Sequence, residues 1–335
     1  MENIRVGVIG VGRMGKHHCR IYSNLRHVDF VGAYDLDKNA LHDVSRAYDV
    51  PVIDSIDELL SQVDAVSITT PTPPHFELAM RCLEKGIHVL IEKPITETLG
   101  QAEELTEAVE SNGITFQVGH IERFNPTYCE LKNVLEHMNI LAINFRRLSP
   151  YQGSNTDVDV VLDLMTHDLD LLLDLTRQEP ISIAASGFNV HSDCLDHVSA
   201  QLGYESNMLV TLTASRITEQ KIRSIDVVAE GAYIEADLFS KNIFVHRRSM
   251  GEYLYPNHGN VKYHQESIVE KIMVPAVEPL FKEIEHFVSC IRSGETPAVT
   301  ARDGMEALRN AFLIRDATAN HKPLLFEADL MKTMG

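Results

Sequence analysis

The chain has 335 residues, enough for roughly two domains, and its 44% hydrophobic and 23% charged content is ordinary for a globular protein. A formal net charge of −18 excludes a general nucleic-acid binder, because neutralising phosphates takes a basic surface; a local basic pocket for an anionic ligand stays open. No run of about 18 apolar residues predicts a membrane span, and the opening "MENIRVGVIG" lacks the basic start and cleavage site of a secretory signal, so a cytoplasmic location is the default expectation.

Strand and helix signals alternate from the start. "IRVGVI" (4–9) is a short apolar run, the pattern of a strand buried on both faces. "GVGRMG" follows, then "KHHCRIYSNL" with helical character. "DFVGAYDLD" (29–37) reads as a strand ending in acid, "NALHDVSRAYDV" as a helix and "PVI" (51–53) as a short strand. Ser55 with Glu58 forms a capping-box arrangement ahead of "SIDELLSQ". "DAVSITTP" (64–71) is a further strand, and "PHFELAMRCLEKG" (74–86) a helix with Pro at its start and Gly at its end. "HVLIEKP" (88–94) is a strand, "TLGQAEELTEAVESNG" a helix and "ITFQVGH" (114–120) a strand. This alternation is the signature of a doubly wound parallel sheet.

Beyond about residue 120 the rhythm changes. Segments 139–149, 181–191, 197–204, 207–215, 224–238 and 242–248 are strand-like with short connections, interrupted by one helix pattern from about Asp157 to Leu175. The tail from Glu278 is helical again. The expectation is an α/β chain: a dinucleotide-binding domain over 1–121, then an α+β domain over 122–335 with a large open, mostly antiparallel sheet. The five cysteines, Cys19, Cys82, Cys129, Cys194 and Cys290, are scattered without a C-x-x-C pair, so reduced thiols are expected. His17 and His18 point different ways on a helix, with no acid or cysteine partner nearby, so a helix-surface or ligand-proximal pair is expected and no metal site.

Gly10-Val11-Gly12-Arg13-Met14-Gly15 is a G-x-G-x-x-G placed between a predicted strand and a predicted helix. Glycines there permit a tight turn and let backbone amides approach a pyrophosphate at the helix N-terminus. Asp35 lies at the end of the second strand, where an acid suits the adenine-ribose hydroxyls and repels a 2′-phosphate. The expected cofactor is therefore NAD. The stiff loop Thr70-Pro71-Thr72, continuing to His75, follows a strand at the end of the sheet where ligands gather, and is expected to wall the cofactor. Glu92 and Lys93 end another strand at that same edge. Opposite charges there are expected to face a ligand, with Pro94 restricting the backbone.

"GVIGVGRMG", "TPTPPH", "EKPI" and "DLMTHDLD" together resemble, in order and spacing, the glucose–fructose oxidoreductase, inositol dehydrogenase and rhizopine-catabolism (Gfo/Idh/MocA) family, over essentially the whole chain. The resemblance implies a Rossmann domain followed by a domain with a large open sheet. It also implies that Lys93 contacts the substrate hydroxyl and the nicotinamide ribose, and that a downstream Asp-x-x-x-His completes the site. Asp163 and His167 fit that pattern. Four residues apart on a predicted helix, they share a face, which Asp159 extends; a carboxylate one turn away can orient the ring and raise its basicity. Relatives carry glycines just before this helix, where this chain reads "TDVDVV", so the entering loop is expected to differ. The expected reaction is oxidation of a secondary sugar hydroxyl, with His167 as general base, Lys93 stabilising the alkoxide and Asp163 holding the arrangement beside the nicotinamide.

"VGHIERFNP" (118–126) and "ASRITEQKIRSIDV" (214–227) are similar to segments of the family branch that oxidises the 3-hydroxyl of UDP-N-acetylglucosamine. His120, Arg123 and Asn125 leave a strand end with donors for a polar ligand. Arg146, Arg147, Arg216, Lys221 and Arg223 gather basic charge in the second domain, which suits a diphosphate. A nucleotide sugar is the expected substrate, with a UDP-sugar uronic acid, inositol or a free sugar as alternatives and an NAD-binding sensor as the non-enzyme alternative. Apolar strands such as "NMLVTLTAS" need a cover, so a homo-oligomer is expected, and the family resemblance implies a homodimer or homotetramer.

Overall fold

A computed structural model describes residues 3–153, 157–254, 261–320 and 324–325. The first elements are β1 (Ile4–Ile9), α1 (Arg13–Tyr22), β2 (Val28–Tyr34), α2 (Lys38–Tyr48), α3 (Ile56–Leu60), β3 (Ala65–Ile68), α4 (His75–Glu84), β4 (His88–Glu92), α5 (Leu99–Asn112) and β5 (Phe116–Gly119). A 3-10 turn, Ile121–Phe124, leads to α6 (Pro126–Leu135) and β6 (Ile140–Leu148). A π-helical turn, Val161–Met165, runs into α7 (Thr166–Thr176). Then come β7 (Ser182–Phe188), β8 (His197–Gly203), β9 (Leu209–Ser215), β10 (Ile222–Ala229), β11 (Ala232–Asp237), β12 (Asn242–Leu254), β13 (Val261–Ile272), α8 (Pro279–Ser293), α9 (Ala301–Asn320) and β14 (Leu324–Leu325).

The chain forms two compact units, Met1–Phe124 with Val277–Asn310, and Asn125–Ala276 with Ala311–Gly335. The expected single division near residue 121 therefore needs correcting for the tail: α8 and the first half of α9 belong with the first unit. The cause is packing. Leu280, Ile284, Phe287 and Val288 of α8 join the core made by Val6 and Val8 of β1 and Cys19, Ile21 and Tyr22 of α1.

The first unit holds a five-stranded parallel sheet in the order β2-β1-β3-β4-β5. Its inner strands are mostly apolar because helices cover both faces; β3 is buried at every position. "PVI" is only an isolated bridge between Val52 and Ala33, so β4, which ends in Glu92, is the fourth strand and not the fifth. Local signals placed the helices well. Ser55 caps α3 by accepting from the Glu58 amide, and α5 carries a capping box formed by Thr98 and Gln101.

The second unit holds a nine-stranded sheet in the order β13-β12-β11-β10-β6-β9-β8-β7-β14. Its pairings are antiparallel except for the central β6–β9 pair, which is parallel. One face packs on Tyr128 and Leu131 of α6, Leu169 and Leu172 of α7, and Ala311, Ile314 and Ala317 of α9. α6 and β13 carry no expectation from sequence. β13, "VKYHQESIVEKI", has too few apolar residues to show a period of two; its position follows from the long hairpin it forms with β12, with Leu254 opposite Val261.

Candidate functional site

The glycine turn is built as its residue types require. Gly10 has φ +91°, and a Cβ there would lie 2.8 Å from the Thr70 nitrogen. A Cβ on Gly15 would lie 2.0 Å from the Gly10 carbonyl oxygen and 2.8 Å from Thr69 Oγ1. At Gly12 the corresponding direction is open. Gly12 is the N-cap of α1 and supplies no side-chain cap, so Arg13 and Met14 open the helix with amides available to an anion. Asp35 stands at the end of β2 and reaches into this turn: its Oδ2 accepts from the Val11 amide at 2.6 Å and its Oδ1 from the Asp37 amide at 2.8 Å. Thr70 borders the same turn, and its buried hydroxyl has no hydrogen-bond partner among the described residues.

The loop after β3 and the end of β4 are tied together by His75. Its Nδ1 lies 2.9 Å from the Pro94 carbonyl oxygen and its Nε2 3.1 Å from that of Thr70. Burial, the largest influence, lowers its pKa below the ordinary 6.5, against the pull of those two carbonyls. His75 is thus a strut between two loops, which corrects its reading as a cofactor ligand. Pro71 is exposed and Thr72 half-buried, and the Thr72 carbonyl accepts from the His75 amide. The Lys93–Pro94 peptide bond is cis.

In the second unit, Asp163 sits in the π-helical turn and His167 is the second residue of α7. The shared face expected from a regular 3.6-residue period is therefore modified, because a π turn widens the ring and shifts the azimuth of the residues after it. Asp159 does not extend that face. Its Oδ1 caps the turn by accepting from the amides of Val161 and Leu162, both at 3.0 Å, and its Oδ2 pairs with Arg315 of α9 at 2.8 Å. Thr156 of "TDVDVV" lies outside the described residues.

The basic cluster does not hold together. Arg147 is buried and pairs with Asp168 at 2.7 Å, joining β6 to α7. Arg216 is buried, donates through Nε to Asp196 at 2.6 Å and through Nη1 to the Val158 carbonyl at 2.7 Å. Arg123 is buried, donating to the Ala298 carbonyl at 3.0 Å and to Asp303 at 3.3 Å. Asn125 caps α6 by accepting from the Thr127 amide at 3.0 Å, and His120 is buried. Arg147, Arg216, Arg123 and Asn125 are thus engaged by the protein's own groups, as framework residues are, whereas burial alone assigns His120 neither role. Cross-strand register divides the rest. Arg223 lies opposite Arg147 and so shares its face of the sheet, whereas Arg146 lies opposite Ser224, on the other face, and contacts Ser224 and Asp226. Lys221 is exposed, with Nζ 5.1 Å from the Phe239 ring centroid. Of the cluster, Arg223 is the cation on the same sheet face as the Arg147–Asp168 pair, one residue from His167.

Residues 4–120 match the oxidoreductase family with an NAD-binding Rossmann fold, Gfo/Idh/MocA, and residues 144–235 match the C-terminal domain of that family. The chain belongs to the Gfo/Idh/MocA oxidoreductase family. It is 29% identical over 317 residues to a UDP-N-acetylglucosamine 3-dehydrogenase of Acidithiobacillus ferrooxidans, covering 95% of this chain and 98% of that one. The solved structure of that enzyme superposes with a TM-score of 0.86 over 96% of this chain and 99% of that one. A scyllo-inositol 2-dehydrogenase (NAD(+)) of Bacillus subtilis is 23% identical over 342 residues, covering 96% of each chain. The fold is also that of a Lactobacillus casei scyllo-inositol dehydrogenase solved with NAD(H) and scyllo-inositol, at a TM-score of 0.77 and 19% identity over 97% of this chain and 99% of that one.

As a Gfo/Idh/MocA member the chain is an NAD-binding oxidoreductase, and its residues fit that cofactor. The uncapped start of α1 and the open side of Gly12 admit a pyrophosphate, the Thr70 hydroxyl has hydrogen-bonding capacity to offer, and Asp35 favours ribose hydroxyls over a 2′-phosphate. Groups of His, Cys, Asp and Glu able to hold a metal are absent among the described residues. No helix among them is long and apolar enough to cross a membrane. One residue escaped the sequence reading. His18 is not at the surface; it is buried, with Nε2 3.3 Å from Glu92 Oε1 and Nδ1 3.0 Å from Ser67 Oγ.

Proposed function

We propose that the protein oxidises a secondary ring hydroxyl of a nucleotide sugar, the 3-hydroxyl of UDP-N-acetylglucosamine, to the ketone. The supporting observation is the full-length likeness to the Acidithiobacillus ferrooxidans UDP-N-acetylglucosamine 3-dehydrogenase, at 29% identity and a TM-score of 0.86. NAD, when bound, supplies the two-electron acceptor. His167 takes the hydroxyl proton as general base, oriented by Asp163. Lys93 places its ammonium at the developing alkoxide. The glycine turn, Asp35 and the Thr70-Pro71-Thr72 loop bind and orient the cofactor, and Arg223 holds the diphosphate as a charge-assisted donor. We include a homo-oligomer in this reading, because Leu209, Val228 and Tyr233 leave exposed apolar surface on the nine-stranded sheet.

The test is NADH formation with a panel: UDP-N-acetylglucosamine, its uronic acid, scyllo- and myo-inositol, and glucose. UDP-N-acetylglucosamine is expected to react, with a 3-keto product by mass spectrometry. Reaction with unphosphorylated polyols alone overturns the substrate assignment. Lys93→Met and His167→Asn are each expected to lower kcat by about 10²–10⁴-fold while NADH still binds, the range for loss of a proton-transfer or charge-stabilising group. Full activity in both variants removes the assigned roles.

A further inference from the structure

A continuous line of buried polar groups lies beneath the coenzyme end of the parallel sheet. Tyr22 of α1 has its hydroxyl 2.8 Å from Ser67 Oγ, in β3. Ser67 Oγ is 3.0 Å from His18 Nδ1, and His18 Nε2 is 3.3 Å from Glu92 Oε1, at the end of β4. Tyr22 and His18 are each 1% exposed and Ser67 0%, with Glu92 half-buried, so bulk solvent does not reach the first three groups and their bonds are made within the line.

Donor and acceptor rules then fix its direction. An ionised carboxylate only accepts, so the hydrogen at the Glu92 end is on His18 Nε2. With a single ring proton placed there, Nδ1 presents a lone pair and accepts from the Ser67 hydroxyl. Ser67, having donated, accepts from the Tyr22 hydroxyl. Burial raises the Tyr22 pKa well above its ordinary value of 10, so the phenol keeps the proton it has to donate. In the order Tyr22→Ser67→His18→Glu92 each donor thus meets an acceptor within the line. Glu92 is also closely flanked from the other side: a Cβ at Gly119 would lie 3.3 Å from its carboxyl carbon and 3.2 Å from its Cα, a tight contact.

We propose that His18 is a positioning residue of the dehydrogenase. It holds the Glu92 carboxylate through Nε2–H, in the tautomer that Ser67 and Tyr22 impose, and so fixes the end of β4 from which Lys93 acts. This rests on the role given to Lys93 above. A ring that merely filled space could be replaced by an apolar side chain of similar bulk. A ring that aims a carboxylate cannot, since misplacing a reacting group by about 1 Å can cost about a hundredfold in rate.

Two measurements need no sugar and stand even where the substrate assignment fails. Nitrogen-15 NMR of the holoenzyme with NADH is expected to show His18 protonated at Nε2 and bare at Nδ1. Ser67→Ala is expected to move the Nδ1 resonance; a ring protonated at Nδ1, or a spectrum indifferent to Ser67→Ala, overturns the proposal. With whichever substrate of the panel reduces NAD, His18→Leu is expected to lower kcat about 10- to 100-fold with a smaller change in the KM for NAD, and His18→Gln, which keeps an N–H donor, to recover most of the loss. In a Glu92→Ala background, His18→Leu is expected to have no further effect on kcat. Equal effects of His18→Leu in the two backgrounds mean that His18 does not act through Glu92, and overturn the proposal. Should His18→Leu fail to fold, the Ser67→Ala spectrum and its kcat, expected to fall by a smaller factor, decide the matter.

Discussion

Replacing Arg216 by Met separates a framework role from a ligand role at one residue. In the structure the guanidinium donates to Asp196 Oδ1 at 2.6 Å, to the Val158 carbonyl at 2.7 Å and to Ser192 Oγ at 2.8 Å. Asp196 is fully buried and also accepts from the amides of Val190 and His191, both at 2.7 Å, and of Ser192 at 3.3 Å. Met removes the cation and leaves the carboxylate in place, only partly satisfied by those amides. Breaking a buried pair from one side costs about 3–5 kcal/mol. At roughly 2–4 °C per kcal/mol for a unit of this size, Tm is expected to fall by about 10 °C. The pH dependence has a definite sign. Burial pushes the Asp196 carboxyl up, but the His191 and Val190 amides, then Arg216 and Ser192, outweigh it and hold the group well below the ordinary carboxylate range. Its folded pKa is therefore depressed: the stability it contributes is fully present above about pH 4 and is lost as pH falls through the folded value. In Arg216→Met the extra stability above pH 4 should shrink. The assay is calorimetry from pH 3 to 7 with steady-state kinetics at pH 7. An unchanged Tm with a raised KM for the sugar would refute the argument and return Arg216 to the substrate site.

Gly15→Ala puts a Cβ 2.0 Å from the Gly10 carbonyl oxygen, so the turn must open; the NADH dissociation constant, followed by fluorescence, is expected to rise more than about tenfold. Asp35→Ser removes the charge at the end of β2, and the kcat/KM ratio of NADP to NAD is expected to rise by about tenfold or more, while an unchanged ratio would show that Asp35 does not discriminate. His75 is buried with its pKa lowered, so the unfolded chain takes the proton first as pH drops below about 6.5, and stability falls with it by at most about 1.4 kcal/mol per pH unit. His75→Gln keeps a donor and does not titrate, so its Tm should depend less steeply on pH between 7 and 5 than that of the unaltered chain.

The features legible in the sequence are those in which a local backbone demand selects a residue type. Gly10 and Gly15 are glycines because neighbouring backbone occupies the place of a side chain, and that requirement shows in six consecutive letters. Ser55 with Glu58 reads as a helix start for the same reason. The features that escaped depend on register. Arg146 and Arg147 are adjacent letters, yet strand alternation sends one to the open face and the other to Asp168, 21 residues away. His18 read as half of a helix-surface or ligand-proximal pair because its partners, Ser67 and Glu92, lie 49 and 74 residues along the chain. "PVI" had strand composition but only a bridge to Ala33 to pair with. The fate of the tail was equally invisible, since the apolar stripe of α8 does not say which core it joins.

Two of the arginines expected at the substrate, Arg147 and Arg216, share a destination with Asp159 within the second unit. Arg216 fixes the Val158 carbonyl, Asp159 caps the π-helical turn and is itself held by Arg315, and Arg147 grips Asp168 just past His167. The short segment carrying Asp163 and His167 is thus anchored at its start, along its first turn and at its entry into α7, each time by a directional bond to a different element. Hydrophobic residues of equal bulk could match a buried pair such as Arg147–Asp168 in stability, so stability alone does not account for it. A π turn is a rare geometry that an apolar contact cannot specify, since it leaves the helix able to relax to a regular period. Ion pairs and caps name particular atoms, and they hold the backbone on either side of His167. The general-base role proposed for His167 depends on sub-ångström placement and calls for a support of that kind.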